Sequence, residues 1–258
     1  MKRKKEIAKV LSQKEIAKDI FDLWIESQSV TADGKAGQFV SLYTGDESRL
    51  LPRPISICEI DSDRNALRLV YRVTGEHTGT KIFSKMTEGD EIEILGPLGN
   101  GFDTSIPEDA ILIGGGIGIP PMLELAKERS GKSYIVTGFK DSTFLMEDLQ
   151  RWGEVAIATE DGSAGTKGTV LDAIRDNGIK ADVLYACGPT PMLKAVKEYA
   201  KEEGIEKVYL SLEEKMACGV GACLACVCKS KEVDSHTHVK NKRVCKEGPV
   251  FSAWEVEF

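Results

Sequence analysis

The sequence predicts a multidomain β and α/β protein: an N-terminal antiparallel β-barrel over residues 1–101, a doubly wound parallel-sheet domain over 102–206, and a small cysteine-rich C-terminal segment over 207–258. Three observations carry this. Apolar and polar residues alternate through the first hundred positions, the rhythm changes to strand, turn and helix from about residue 108, and five of the seven cysteines fall between 218 and 245.

The barrel is read from short alternating runs at 38–43, 55–60, 66–73 and 91–95, with Gly, Pro and Asp punctuating the gaps. The first run, Glu6 to Trp24, fits strands, and its apolar spacing also fits an amphipathic helix. In the second region Ala110-Ile111-Leu112-Ile113 leads into Gly114-Gly115-Gly116-Ile117-Gly118 and then a helix opened by Pro120-Pro121. Further strands are expected at 133–136, 155–158 and 183–186, and helices near 168–176 and 191–203. Strands alternating with helices argue for a parallel sheet covered on both faces. There is no internal repeat and no low-complexity tract.

Composition bounds the function. The chain has 258 residues, 41% hydrophobic and 29% charged, as soluble globular proteins do. A formal charge of −7 disfavours a nucleic-acid partner, since phosphate neutralisation needs a clustered basic surface. The basic run Lys2-Arg3-Lys4-Lys5 reads as a solvated end. No apolar stretch approaches the roughly 18 residues of a membrane span, and no apolar signal core follows Met1, so no membrane association and a cytoplasmic location are expected. In a reducing compartment, clustered cysteines suggest a metal centre rather than disulfides.

Cys218, Cys223 and Cys226 have four and then two residues between them, and Cys245 follows after eighteen more. This is the C-x4-C-x2-C…C spacing of plant-type 2Fe-2S ligation, in which a tight loop wraps three thiolates and a distant cysteine closes the site. Gly219 and Gly221 let the backbone pass close to the sulfides. A four-thiolate zinc site is the alternative, although its cysteines usually come as two C-x2-C pairs. Cys228 is the alternative fourth ligand, disfavoured because a residue so near Cys226 strains the loop. His236 and His238 read as a polar turn, because the Cys-x-His arms of a Rieske site are missing.

The glycines Gly114, Gly115, Gly116 and Gly118 stand where a backbone approaches a dinucleotide phosphate, with an ordinary glycine turn as the alternative. A second tight segment, Cys187-Gly188-Pro189, ends the last predicted strand, where open parallel sheets bind ligands. Cys187 is a candidate nicotinamide neighbour, or else simply buried. Glu160 and Asp161 follow another strand and would repel a 2′-phosphate, favouring NAD over NADP, unless they form a generic charged loop.

Arg53-Pro54-Ile55-Ser56-Ile57 resembles the R-x-Y-[ST] flavin motif of the ferredoxin reductase superfamily, in an R-P-x-S form. The order of R-P-I-S-I, the GGGIG turn, C-G-P and the cysteine motif resembles the electron-transfer subunits of type B, NAD-dependent dihydroorotate dehydrogenases. The resemblance covers nearly the whole chain, and is close at Glu213 to Cys223 and Val244 to Phe251. It implies FAD bound by the barrel domain against Arg53, Pro54, Ile55, Ser56, Val70, Tyr71, Arg72, Gly79 and Thr80, with NAD as substrate of 102–206 and a 2Fe-2S cluster in 207–258. The loop before Gly79-Thr80, which contains His77, is longer than the family's G-x-G-T form. The partner implied is an FMN-containing catalytic subunit that oxidises dihydroorotate in pyrimidine biosynthesis, in a heterotetramer of two copies of each, so no orotate-site catalytic residue is expected here. Flavin and iron-sulfur subunits of ferredoxin:NAD(P) oxidoreductases or sulfide dehydrogenases share these domains and are the alternative. A zinc-stabilised nucleotide sensor is the non-enzymatic one.

Overall fold

The computed structural model describes residues 4–235 and 238–258, so Lys2, Arg3 and His236 lie outside the described residues. The first run is strand, not helix: β1 (Lys4–Ala17) and β2 (Ile20–Glu26) form an antiparallel hairpin. The two residues that join them decide the matter locally. Asp19 takes a φ of 60°, which Asp tolerates, and its N–H donates to the Glu15 carboxylate at 2.8 Å. Alternation then sends Ala8, Val10, Leu23 and Ile25 inward and leaves Ile7 exposed.

A short helix α1 (Gln28–Asp33), capped by the Ser27 hydroxyl accepting from Val30 N–H at 3.3 Å, leads into β3 (Phe39–Leu42). Then come β4 (Arg53–Asp61), β5 (Ala66–Arg72), α2 (Gly79–Phe83) and β6 (Glu91–Leu98). The six strands close in the order β1-β2-β5-β4-β3-β6 around a core that includes Val10, Leu23, Leu69, Tyr71 and Ile94.

The α/β region runs β7 (Ala110–Gly115), a single 3-10 turn at Gly116–Gly118, α3 (Pro120–Glu128), β8 (Ser133–Phe139), α4 (Met146–Gln150), β9 (Glu154–Thr159) and β10 (Thr166–Lys167). It continues with α5 (Val170–Asp176), β11 (Val183–Cys187), α6 (Thr190–Glu202) and β12 (Lys207–Ser211). Four short strands follow: β13 (Val227–Ser230), β14 (Asn241–Arg243), β15 (Val250–Ser252) and β16 (Val256–Glu257). The large sheet is ordered β10-β9-β8-β7-β11-β12-β15 and is parallel except for β15, which runs antiparallel to β12. It therefore draws strands from both sides of the division expected at residue 206. The strands β14-β13-β16 form a separate small sheet.

Ile111 and Ile113 join the core on one face of the large sheet, and Ala110 and Leu112 join the core on the other. Burial on both faces is why β7 reads as an unbroken apolar run. The chain order reverses between β7 and β11, so a crevice opens at their C-terminal ends.

Three polar contacts set how the barrel meets that crevice. Arg68 of β5 donates to Asp22 and to Glu59 within the barrel, and reaches Asp148 of α4 at 3.0 Å. On α3, Glu124 accepts from Ile60 N–H at 2.8 Å, and Glu128 accepts from Ala36 N–H at 3.0 Å. Burial pushes the Glu124 carboxyl up to about 7. Among the described residues no helix is long and apolar enough to cross a membrane.

Candidate functional site

A cavity of about 340 Å³ opens where the barrel meets the crevice. Pro54, Ile55 and Ser56 of β4 and Val70, Tyr71 and Arg72 of β5 line one side, because the ends of these paired strands face the sheet. The other side is Ile117 of the glycine turn and the chain leaving β12, with Ser211, Glu213, Glu214 and Met216. Arg53, Gly79 and Thr80 do not line this wall but belong to a neighbouring group. A Cβ on Gly79 would lie 2.9 Å from Arg53 Nε, and the Thr80 and Thr78 hydroxyls are 3.0 Å apart.

The sequence motifs do not single out Ser211, Glu213, Glu214 or Met216 as wall residues. The available signal was the run Val208-Tyr209-Leu210 close to a parallel strand's C-terminus, where ligands gather.

A second cavity of about 540 Å³ lies at the C-terminal ends of β7, β8 and β9, with Gly115, Gly116, Gly138, Lys140, Glu160, Pro189 and Met192 in its walls. Arg72 lines both cavities, so they adjoin. The four expected glycines divide here. Gly115 and Gly116 face the second cavity, Gly116 at a φ of 53°. Gly114 and Gly118 are packing positions: an added Cβ would stand 2.7 Å from Ile119 Cα in the first case and 2.3 Å from the Cys187 carbonyl oxygen in the second.

Cys187 itself is buried in the core and lines neither cavity, and burial pushes its thiol well above the ordinary range. Gly188 lies against Gly115, whose Cα would be 3.1 Å from an added Cβ. Of the acidic pair, Glu160 faces the cavity, whereas Asp161 accepts from Ser163 N–H at 2.9 Å.

The cysteine segment leaves the first cavity directly. From Cys218 to Cys226 the chain forms bends, with positive φ at Gly219, Gly221 and Leu224. This backbone aims N–H groups at sulfur: Val220 and Ala222 donate to Cys218 Sγ at 3.4 and 3.3 Å, and Cys245 N–H donates to Cys226 Sγ at 3.4 Å. The thiols pair, Cys218 with Cys223 and Cys226 with Cys245. For Cys218 burial opposes ionisation, yet the donors outweigh it and hold the thiol below its usual range. For Cys226 the bond from the Cys245 thiol is the largest cause of the same shift.

Four cysteines with backbone N–H groups aimed at sulfur would hold an iron-sulfur cluster, which would supply one-electron transfer there. Arg243 fastens the loop, donating to Gly221 C=O at 3.0 Å and to the Glu247 carboxylate at 3.0 Å. Cys228 lies in β13 opposite Lys242, and burial pushes its thiol up to about 11. His238 stands exposed in a turn, its N–H donating to Asp234 C=O at 2.9 Å.

A family profile described as the iron-sulfur cluster binding domain of dihydroorotate dehydrogenase B matches residues 213–257. A protein of Listeria monocytogenes serotype 4a is 47% identical over 256 residues, covering 96% of this chain and 97% of its own. One of Fusobacterium nucleatum subsp. nucleatum is 44% identical over 256 residues, covering 94% and 95%. Both are named dihydroorotate dehydrogenase B (NAD(+)), electron transfer subunit. The solved structure of an NADH-dependent reduced ferredoxin-NADP oxidoreductase superposes with a TM-score of 0.86 at 30% identity, over 98% of this chain and 90% of that one. With such identity across nearly the full length of its relatives, the chain belongs to the family of electron transfer subunits of dihydroorotate dehydrogenase B.

Proposed function

We propose that this chain carries electrons between NAD and the FMN of a dihydroorotate dehydrogenase catalytic subunit, through FAD and one 2Fe-2S cluster, in pyrimidine biosynthesis. One observation carries the reading: Glu213, Glu214 and Met216, which wall the first cavity, run straight into Cys218. A cluster held by these cysteines would thus stand close to that cavity along the same chain. The approach is tight, since a Cβ on Gly219 would lie 3.0 Å from Ser41 Oγ of the barrel.

FAD, when bound, supplies the conversion between hydride and single-electron transfer. The wall formed by Pro54, Ile55, Ser56, Val70 and Tyr71 would hold its ring, with the Ser56 hydroxyl as hydrogen-bonding partner. Arg53, Arg72, Gly79 and Thr80 would neutralise and hydrogen-bond its phosphates. NAD would enter the second cavity over Gly115, Gly116 and Pro189, and Glu160 would disfavour a 2′-phosphate. Cys218, Cys223, Cys226 and Cys245 would hold the cluster. Dihydroorotate chemistry would belong to the partner, in a cytoplasmic heterotetramer of two copies of each subunit.

The likeness to the NADH-dependent ferredoxin-NADP oxidoreductase supports a second reading, a flavin and iron-sulfur subunit of such an enzyme. Purification with the native partner separates the two: an FMN-containing barrel subunit supports the first, a second FAD and iron-sulfur subunit the other. The same preparation should contain flavin, iron and acid-labile sulfide, and should reduce a one-electron dye with NADH. A preparation with zinc in place of iron and sulfide would sink both.

A further inference from the structure

A hydride carries two electrons and one proton, whereas an iron-sulfur cluster exchanges electrons alone. For every hydride that passes, one proton must therefore cross between the first cavity and water. The walls offer few carriers. Ser56 and Ser211 are hydroxyls, and Arg72 is a permanent cation. Tyr71 is held protonated by burial and donates to Gln13 Oε1 at 2.7 Å.

Glu213 differs from all of these. Its side chain is exposed and lines the cavity, yet the protein packed around the carboxyl pushes it above the usual range, against the pull of Arg72. It also stands at a partition. Leu212, Glu213 and Glu214 line both the first cavity and another, of about 420 Å³, whose far wall includes the exposed residues Lys229, Glu257 and Phe258. The charged and titratable groups around Glu213 are Arg72 and Tyr71 from β5, Cys187 from β11, Glu214 beside it and, across the outer cavity, Cys228 and Lys229 of β13 and Glu257 of β16.

We propose that Glu213 exchanges the proton of the hydride-to-electron conversion, and that Glu214 passes it to the outer cavity and water. The inference rests on the function proposed above. When NADH is the donor, its hydride reaches the flavin, two electrons leave singly for the cluster, and the remaining proton goes to the Glu213 carboxylate and then outward. When NAD is reduced, the same proton enters by the reverse route. Two electrons and one proton are thus accounted for in either direction.

The test uses the complete holoprotein carrying FAD and the cluster. Rapid mixing with NADH separates flavin bleaching from electron release to a one-electron dye. In Glu213→Gln, release relative to bleaching should slow about tenfold or more, the range of a lost general acid-base group, and Glu213→Asp should restore part of it. Glu214→Gln should slow release by a smaller factor.

A readout independent of turnover is the infrared difference spectrum between reduced and oxidised protein. A protonated-carboxyl band should be present in the unsubstituted protein, absent in Glu213→Gln and shifted in Glu213→Asp. An unchanged release ratio together with an unchanged band in Glu213→Gln overturns the proposal. If that variant does not retain FAD, Glu213→Asp decides, and an unshifted band overturns it. Failure of the underlying reading looks different: the unsubstituted protein would itself lack flavin or acid-labile sulfide.

Discussion

The glycine turn at 114–118 and the cysteine loop at 218–226 both bring bare backbone close to a site, for different physical reasons. In the turn, Gly114 and Gly118 are required by their neighbours: Ile119 and the end of β11 occupy the space a methyl group needs. In the loop, Gly219 is required by the chain's own handedness, with a φ of 67° in the stretch that aims the Val220 and Ala222 N–H groups at sulfur. The first is a packed joint of a doubly wound sheet. The second is a cradle held by hydrogen bonds and by Arg243. Identical residues in a sequence therefore report packing in one place and conformation in the other.

The largest effect expected on this contrast lies in the cradle. Cys245→Ser should abolish the visible absorption of the cluster and its iron and sulfide content while leaving FAD bound, because it removes one of two thiol pairs. Cys228→Ser should leave the spectrum intact, its thiol being committed to the core beside β14. The opposite pattern would exchange the roles of the two cysteines. On the packed side, Gly118→Ala forces a methyl group against a backbone carbonyl that cannot rotate away. A loss of about 3 kcal/mol in denaturant unfolding is expected, toward the upper end of overpacking effects. A loss below about 1 kcal/mol would mean that the joint yields, and the contrast with the loop would fail.

Local rules made much of this legible and failed where partners are distant. The strands at 110–113 and 183–186 announced themselves because burial on both faces leaves unbroken apolar runs. Four cysteines at ligand spacing announced a cluster because thiolate chemistry is unusually position-specific. The strand or helix choice at Glu6–Trp24 turned on Asp19, a single residue whose positive φ no periodicity reports. Glu213 and Glu214 escaped because their cavity is walled by residues about 140 positions away in sequence, at Val70 to Arg72. Cys187 looked like a nicotinamide neighbour by its place after a strand, and only the packing of Gly118 against its carbonyl shows how closed that place is.

The packed side also carries a titratable contact, through which the barrel leans on α3. The Glu124 carboxyl keeps its proton up to a pH of about 7, against 4.5 for the free group, with burial the dominant cause. Between those two values the folded chain binds more protons than the unfolded one, so stability falls as pH rises from 4.5 to 7. Glu124→Gln removes this titration and keeps an acceptor for Ile60 N–H. Its stability relative to the unsubstituted protein should therefore climb across the same window, by about 2 kcal/mol, in thermal or urea unfolding at several pH values. Parallel pH curves for the two proteins would remove Glu124 from the account of this interface.

The smallest effect expected is Gly219→Ala, and it is the sharpest test of the distinction. The added Cβ meets Ser41 Oγ at 3.0 Å, a hydroxyl that can rotate, and Leu98 Cδ1 at an ordinary 3.5 Å, so packing alone predicts little change. Conformation predicts a penalty of about 1 kcal/mol, the handedness cost of a non-glycine residue at a φ of 67°. The readout should also be local. Cluster absorption should broaden or bleach faster in air as the Val220 and Ala222 donors lose their aim at Cys218, while the melting of the sheet stays where it was. Gly118→Ala should do the reverse, lowering the melting temperature while the cluster spectrum of the still-folded protein is unaltered. If both substitutions move both readouts equally, the two glycine-rich segments belong to one cooperative unit, and the division between joint and cradle has no energetic meaning.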